Sequence, residues 1–561
     1  MTAEARLREK LEEAAASLGA PGVKVQLDRP RHAEHGDWAT NLAMVLAGRL
    51  KQPPREIAQR IVDALDLAGA GVRGAEVAGP GFINFRVSGR QLESLLERVL
   101  REDAAYGRAA DTGRRVIVEF VSANPTGPLH VAHGRGAALG DAIATLLEWA
   151  GDTVRREFYV NDAGVQIDKL GASVAARWRE LRGEPAAIPE GGYHGGYVAD
   201  LAREADATMG AELAGLDAAE RVVRLRDWAV ERLKAEQAQD LERFGVVFDE
   251  WYPESRIYEE GQLRATLDIL REKGLIYERE GATWLRTTEF GDDKDRVLRK
   301  QDGTYTYFVP DLAYHRVKAE RGFDHAINVW GADHHGYVPR MQAGLAALGL
   351  PGFLDVEVVQ MVRILRGGQE VKLSKRAGEF VTLRELFEET GTDVARYFFL
   401  MRRAETQMIF DLDLALDHSE KNPVYKVQYA HARMMSIFRK GGVEPEPGGA
   451  PEDIDLGLLE TSDEQELIKR LGRFPEVVER AAASRAPHLV CDYLEETAGM
   501  ANSWYHSGNP SRNPELAVLV DDPALREARL ALARAVRIVL RNGLTTLGLS
   551  APVRMEKEDE A

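Results

Sequence analysis

The sequence predicts a multidomain α/β protein, in which a core with a parallel β-sheet follows a small α/β domain and precedes an all-helical region. The chain has 561 residues, a length that suggests three or four domains. Short apolar runs rich in β-branched residues end in turn residues and are followed by helical spacing, which is typical of buried parallel strands and their crossover helices. From about residue 386 onward the pattern is almost entirely helical.

The small domain is predicted over residues 1–110. Pro53 and Pro54 are well placed at a helix start, because the first turn of a helix tolerates proline. Glycines at 107 and 113 mark the linker that ends this domain. The predicted elements are helices over residues 3–18, 38–50 and 54–67 and strands over residues 23–25 and 82–85.

The core, residues 111–385, is organised around the stretch from residue 116 to residue 151. A buried strand is predicted over residues 116–121, turn residues follow, and helical spacing begins after His133. His130 and His133 therefore lie at the ligand-binding edge of an open α/β sheet. Helix-start amides attract phosphate, and imidazoles can donate to phosphoryl oxygens. An HxxH pair alone is common, so a glycine-rich helix start packed on a strand is the alternative.

The rest of the core contains an insertion over about residues 170–300, made of helices followed by hairpins. Strands are predicted before it, at residues 157–160, and after it, at residues 326–330. The second of these strands runs into the adjacent His334 and His335. Two neighbouring side chains on one turn rarely point at one ion, and no further ligands accompany them, so no metal site is predicted.

Composition excludes several classes of protein. Cys491 is the single cysteine, which rules out disulfides and cysteine-rich zinc sites within the chain. There is no apolar run of membrane length and no secretory signal, so we expect a cytoplasmic protein without a membrane partner. The net charge of −17 does not exclude RNA, since binding needs only local basic patches. The basic helix predicted over residues 523–541 is either such a patch or a solvated face.

A second stretch, Lys372-Leu373-Ser374-Lys375-Arg376, resembles the KMSKR signature of class I aminoacyl-tRNA synthetases, and the first stretch resembles their HIGH signature. Ala132 departs from the family, which usually has glycine there so that the adenine of ATP lies against bare backbone. The run that ends in His133 resembles the arginyl-tRNA synthetase form of the first signature. Its residues are Ala123, Asn124, Pro125, Thr126, Gly127, Pro128, Leu129, His130, Val131, Ala132 and His133.

The resemblance extends over about residues 30–555 and implies a fold and a reaction. It implies a Rossmann-like class I catalytic domain, an N-terminal additional domain that contacts tRNA, and an anticodon-binding helical bundle over residues 386–561. The implied reaction joins L-arginine to its tRNA through an arginyl-adenylate and releases AMP and pyrophosphate. ATP with Mg²⁺ is the expected co-substrate, no tightly bound cofactor is expected, and a monomer is the family expectation.

The resemblance also assigns roles residue by residue. Asp311, Glu119 and Tyr307 are expected at the guanidinium of arginine, and Asn124 and His334 at its α-amino end. Two alternatives remain from the residues themselves: Glu119 as a strand end and Asp311 as a helix cap. The catalytic and ATP-binding residues implied are His130, His133, Gly134, Lys372, Ser374 and Lys375; the implied tRNA contacts are Tyr429, Arg433 and Met555.

Two other functions compete with arginine–tRNA ligation. One is a different class I synthetase or nucleotidyltransferase, against which the run that ends in His133 argues. The other is a catalytically silent, tRNA-binding paralogue. Ala132 is the motif residue that favours this second interpretation, whereas the intact histidines and lysines of the two signatures favour an active enzyme.

Overall fold

The computed structural model describes residues 3–30, 32–162, 164–371, 382–445, 453–509 and 511–555. The strands are β1 (Trp38–Thr40), β2 (Val72–Ala78), β3 (Phe82–Val87), β4 (Arg115–Glu119), β5 (Thr153–Val160), β6 (Glu250–Pro253), β7 (Ile276–Arg279), β8 (Ala282–Leu285), β9 (Arg296–Arg299), β10 (His325–Gly331), β11 (Leu354–Val359), β12 (Val362–Arg366), β13 (Gln369–Glu370) and β14 (Met408–Asp411).

The helices complete this order. They are α1 (Ala3–Ser17), α2 (Leu42–Leu50), α3 (Pro54–Ala64), α4 (Gly89–Glu102), α5 (Val131–Trp149), α6 (Val165–Leu181), α7 (Gly196–Gly215), α8 (Ala218–Arg243), α9 (Ser255–Glu259), α10 (Gln262–Glu272), α11 (Phe308–Glu320), α12 (Val338–Leu348), α13 (Leu383–Thr390), α14 (Thr392–Leu400), α15 (Leu412–Ala415), α16 (Pro423–Gly441), α17 (Ser462–Leu471), α18 (Phe474–Ala483), α19 (His488–Ser507) and α20 (Pro523–Thr546).

Packing divides the chain into two units. Unit 1 comprises Met1–Tyr106, Arg433–Arg473 and Gly499–Val539, and unit 2 comprises Gly107–Ala432, Phe474–Ala498 and Leu540–Ala561. These units join segments that are distant in the sequence. Because each unit is built from several stretches of the chain, the units do not test the domain boundaries predicted near residues 110 and 385. These boundaries remain a prediction.

Unit 1 contains an antiparallel sheet in the order β1–β3–β2. Its core is formed by apolar side chains of the sheet and of α1, α2 and α3. Two local predictions are wrong. Residues 23–25 form no strand, and Trp38 begins β1 rather than a helix, because it pairs with Phe85 across the sheet. Pro54 does begin a helix, as predicted.

Unit 2 contains the predicted parallel sheet, with strand order β11–β10–β4–β5–β6. β4 lies at its centre, where Val116, Ile117 and Val118 are fully buried. The strand ends at Glu119, two residues before its predicted end. Val121 and Ser122 have φ angles of 68° and 41°, a left-handed conformation that costs a β-branched residue about 1–3 kcal/mol. The chain therefore leaves the sheet at this point.

Helices and smaller sheets surround the parallel sheet of unit 2. The predicted insertion consists of α6, α7 and α8, which share one apolar cluster, followed by an antiparallel sheet of β7, β8 and β9. α5 lies close to the sheet because Gly140 has no side chain: a Cβ there would come within 2.1 Å of Phe120.

The remaining segments are mostly helical, as predicted, although β14 pairs in parallel with β12. Three of the basic residues of α20, Arg529, Arg534 and Arg537, are buried. For these residues the predicted solvated or RNA-binding face is wrong. Arg529 pairs with Glu464 at 2.8 Å. Within the described ranges, no helix has both the length and the apolar character needed to cross a membrane.

Candidate active site

The carboxyl ends of β4, β6 and β10 bring acidic and imidazole side chains to one edge of the parallel sheet. Glu119 ends β4, Glu254 follows β6, and His334 follows β10. Asp311 lies in the first turn of α11, the helix that leads into β10. This edge is where open α/β sheets bind ligands.

Glu119 is held by a series of buried hydrogen bonds. Its Oε2 accepts hydrogen bonds from Lys318 Nζ at 2.6 Å and from Asn328 Nδ2 at 2.9 Å. Its Oε1 accepts one from the Ser122 hydroxyl at 3.1 Å. Burial acts to raise the pKa of Glu119, but the nearby ammonium of Lys318 outweighs it and the pKa is lowered. Glu119 is therefore a charged carboxylate with an internal counter-ion.

The series continues from Asn328 to the backbone of α11. Asn328 Nδ2 lies 3.1 Å from His315 Nε2, and His315 Nδ1 lies 2.8 Å from the carbonyl oxygen of Asp311. The carbonyl can only accept, so Nδ1 carries the proton and Nε2 accepts from Asn328. Burial lowers the pKa of His315 to about 4, so the ring is neutral at neutral pH.

Asp311 has a different environment. Its Oδ2 accepts a hydrogen bond from the Tyr337 hydroxyl at 2.6 Å. The pKa of Asp311 is raised to about 7, mainly by burial and also by the negative charges of Glu119 and Glu254, against the opposing hydrogen bond from Tyr337. Among the residues that the structure describes, Asp311 forms no ion pair. A ligand that brings a positive charge close to this carboxyl group therefore favours its ionised form.

The other residues predicted for arginine lie at the rim of the edge. Tyr307 precedes α11, and its side chain is 87% exposed. Asn124 is exposed and donates from Nδ2 to Gln166 Oε1 at 2.6 Å. His334 is exposed and lies 3.5 Å from Asp333. Because β4 and β10 are adjacent strands, the segments that carry Asn124 and His334 leave the sheet side by side.

The two signature histidines lie at the start of α5. His130 is its N-terminal flanking residue, and its backbone N–H donates to His133 Nδ1 at 3.3 Å. The two rings stack with 3.7 Å between their centroids. Ala132 is exposed on the same turn. Gly134 is buried, and a Cβ there would lie 2.5 Å from Leu383 and 3.2 Å from Phe399, so a larger residue would require these packed side chains to shift.

The loop between β4 and α5 is held by the helical insertion. The Tyr197 hydroxyl donates to the carbonyl oxygen of Thr126 at 2.8 Å. Gln237 Nε2 donates to the carbonyl oxygens of Gly127 at 2.9 Å and Asn124 at 3.2 Å. The insertion thus supports the loop that ends in His130.

Lys372, Ser374 and Lys375 lie outside the described residues. The chain on the far side of that gap is fixed beside the first signature. Thr382 forms an isolated β-bridge with His130, and Leu383 N donates to Leu129 O at 2.9 Å. Thr382 also caps α13 by a reciprocal bond pattern with Glu385, which defines where the helix begins.

The residues implied for tRNA contact differ in exposure. Tyr429 is partly exposed on α16, where its ring stacks on Tyr425 at 5.7 Å. Met555 is also partly exposed. Arg433 is buried, and its Nη1 donates to Asn502 Oδ1 at 2.6 Å. Arg433 therefore has a packing role in unit 1.

Sequence reasoning missed Lys318, Asn328, Tyr337 and Glu254. Two signals were available for the first two. Asp311, His315 and Lys318 share the spacing of one helix face, and Asn328 is a polar residue inside an apolar strand. Neither signal identifies a partner, because Glu119 lies 199 residues before Lys318.

Three family models match the chain. The model described as "tRNA synthetases class I (R), catalytic domain" matches residues 95–413. "Arginyl tRNA synthetase N terminal domain" matches residues 2–87, and "DALR anticodon binding domain" matches residues 427–555.

Individual relatives agree with these models. The chain is 50% identical over 538 residues to the arginine–tRNA ligase of Syntrophotalea carbinolica, with 95% of each chain covered. It is 46% identical over 534 residues to that of Bacillus subtilis, covering 95% of this chain and 94% of the relative. The solved arginyl-tRNA synthetase of Thermus thermophilus superposes with a TM-score of 0.76 at 26% identity, covering 99% of this chain and 100% of that one.

Proposed function

This chain belongs to the arginyl-tRNA synthetases, class I aminoacyl-tRNA synthetases, and from that premise we propose which of its residues carry the reaction. The protein is an arginine–tRNA ligase: it uses ATP and binds tRNA(Arg) through its anticodon-binding domain. The reaction has two steps. The carboxylate of arginine attacks the α-phosphorus of ATP and expels pyrophosphate, and a ribose hydroxyl of the tRNA then takes the arginyl group and releases AMP. For a class I enzyme we propose the 2′ hydroxyl.

The proposed arginine site is centred on Asp311. The observation that carries this proposal is a carboxyl group at the sheet edge that has a hydrogen bond from Tyr337 but no ion pair among the described residues. A guanidinium presents parallel N–H donors that match a carboxylate, so arginine supplies the missing counter-charge. Glu119 is proposed at the guanidinium as a hydrogen-bond acceptor, since Lys318 already balances its charge. The exposed Tyr307 can close over the substrate without displacing packed neighbours.

Asn124 and His334 are proposed to bind the α-amino end of arginine. Each follows one of two adjacent strands, β4 and β10, and each is exposed at the edge. A side-chain amide and an imidazole can both accept a hydrogen bond from an ammonium group. This arrangement directs the guanidinium towards Asp311 and leaves the carboxylate of arginine facing the start of α5.

ATP is proposed to bind at the start of α5, with His130, His133 and Gly134 next to its phosphates. Phosphoryl transfer depends mainly on positioning and charge stabilisation. The helix start offers free amides, and the two imidazoles can donate to the α-phosphate. Lys372, Ser374 and Lys375 are proposed to bind the other phosphates. The pairing of Thr382 with His130 supports this proposal, since it fixes one end of their segment beside the first signature.

We assign Mg²⁺ to the triphosphate of ATP rather than to a protein cage. In the described ranges, no group of three or more histidine, cysteine, aspartate or glutamate side chains could hold a metal ion. We therefore propose no resident metal ion on the described residues.

The remaining proposals concern tRNA and assembly. Tyr429 and Met555 are proposed to contact tRNA, whereas the burial of Arg433 favours a packing role for that residue. We propose a cytoplasmic protein, as the composition of the chain suggests, and a monomer, as the family resemblance implies.

The amino-acid site is tested by ATP–pyrophosphate exchange with each of the twenty amino acids, with and without total tRNA. We expect exchange with arginine alone, because lysine lacks the planar set of donors that matches Asp311. Exchange that requires tRNA would mean that tRNA completes the site. Equal exchange with lysine or another amino acid would contradict the proposed site, and no exchange by folded protein would favour the silent paralogue.

A further inference from the structure

Lys318 is a fully buried cation that neither step of the proposed reaction uses. Its side chain is 0% exposed. Its Nζ donates to Glu119 Oε2 at 2.6 Å and to Asn328 Oδ1 at 3.3 Å, and it lies 4.2 Å from the centre of the Tyr314 ring. Burying an ammonium group is costly unless it is paired, so Lys318 and Glu119 form one neutral unit.

This neutral unit is connected to Asp311 by the buried hydrogen-bond series. Asn328 has three polar contacts: Oδ1 accepts from Lys318, and Nδ2 faces both Glu119 and His315. His315 in turn donates to the carbonyl oxygen of Asp311. Every group in the series has a partner of the correct type, so the orientation of each fixes the next.

Both positive and negative groups lie around Glu119 and Asp311. Lys318 acts to lower the pKa of Asp311, whereas Glu119 and Glu254 act to raise it. Several elements contribute the titratable groups that face Glu119 and Asp311. These elements are β5, the residues after β6 including α9, α11, and the residue before α12. The groups are Tyr159, Glu254, Tyr258, Tyr314, His315, Lys318 and Tyr337.

We propose that Lys318 is a positioning residue of the arginine site. Its buried ammonium neutralises Glu119 and fixes the Glu119–Asn328–His315 series. Of the two acids that this series connects, Asp311 is therefore the one left without an internal cation among the described residues, and it is the one available to the substrate guanidinium. This inference rests on the proposed assignment of Asp311 to arginine.

The test uses Lys318→Met, Glu119→Gln and the double variant, with KM for arginine measured against pH by pyrophosphate exchange. Lys318→Met leaves the Glu119 carboxylate uncompensated near Asp311, so the midpoint of the profile moves up by about one pH unit. Glu119→Gln leaves the ammonium uncompensated, so the midpoint moves down by about one unit. In the double variant both charges are gone and the midpoint returns to that of the wild type.

A role confined to stability would not produce these opposite shifts. It would lower the melting temperature and the active fraction while leaving the midpoint, and the KM for ATP, unchanged. Lys300→Met, at an exposed lysine, is the control for loss of a positive charge. We expect the KM for arginine at neutral pH to rise about fivefold in Lys318→Met, as a shift of one pH unit from a midpoint near 7 requires.

Three outcomes are decisive. Midpoints that match the wild type in folded single variants overturn the inference. If both single variants fail to fold, the charge-neutral double variant decides: a wild-type midpoint of the arginine profile supports the inference, and a shifted midpoint in the folded enzyme overturns it. Asp311→Asn separates this inference from the proposed function, because an unchanged KM for arginine in that variant contradicts the arginine site itself.

Discussion

In the proposed arginine site, Asp311 sets the pH dependence that we expect for arginine binding. Burial raises its pKa to about 7, whereas a guanidinium remains charged throughout the accessible range. A protonated Asp311 cannot form the ion pair. We therefore expect the KM for arginine to rise as the pH falls below about 7, approaching tenfold for each pH unit. Pyrophosphate exchange between about pH 5.5 and 8.5 measures this, with the KM for ATP as the internal control. A flat arginine profile would contradict the role of Asp311.

At the scale of single residues, the sequence is informative about side chains near the signatures and uninformative about their partners. The family resemblance names Asp311, Glu119, His130 and His133 as site residues, and these residues lie at the sheet edge and at the start of α5. Lys318 could not be named, because its pairing with Glu119 joins residues 199 positions apart. A contact of this kind depends on which strands become neighbours.

The loop that carries the first signature is supported by an inserted element, and this support is testable. Tyr197→Phe removes one hydrogen bond to the carbonyl oxygen of Thr126, a loss of about 1 kcal/mol. We expect kcat for adenylate formation to fall about two- to fivefold with little change in the KM for arginine, since Asp311 is held by other contacts. Tyr193→Phe, in the same insertion, is the matched control. Equal effects of both substitutions on kcat would refute the supporting role.

Elements with strong periodicity are predicted well, and their ends are predicted less well. Three of the parallel strands, β4, β5 and β10, form where apolar spacing predicts them, as do hairpins of the insertion and α16, whereas β6 and β11 are not predicted. β4 ends two residues early because Val121 and Ser122 adopt left-handed φ angles, which no propensity favours for valine. Local spacing favours a helix at Trp38, whereas the structure pairs Trp38 with Phe85 across the sheet. The sequence near Trp38 contains no sign of this pairing.

On the scale of the whole molecule, the proposed function divides between two regions of one sheet edge in unit 2. The acidic edge after β4, β6 and β10 is suited to a guanidinium, and the start of α5 is suited to phosphates. The order of segments along the chain could be predicted from the sequence. Their grouping into units could not, because unit 1 joins three stretches that are separated by long intervening segments.

The distribution of charge over the whole molecule explains how an acidic protein can bind RNA. The net charge is −17, yet several arginines of the C-terminal region are buried or paired, so composition predicts neither the position nor the strength of the tRNA contact. Local positive potential decides phosphate binding.

The most direct test of this division is one set of exchange kinetics on two variants, Asp311→Asn and Lys375→Ala, with Asp200→Asn at an exposed ion pair as the control. We predict that Asp311→Asn raises the KM for arginine by at least about a hundredfold and leaves the KM for ATP unchanged. We predict that Lys375→Ala lowers kcat for adenylate formation and leaves the KM for arginine unchanged. If both variants altered the same parameter, or if Asp311→Asn retained the wild-type KM for arginine, the division would be contradicted.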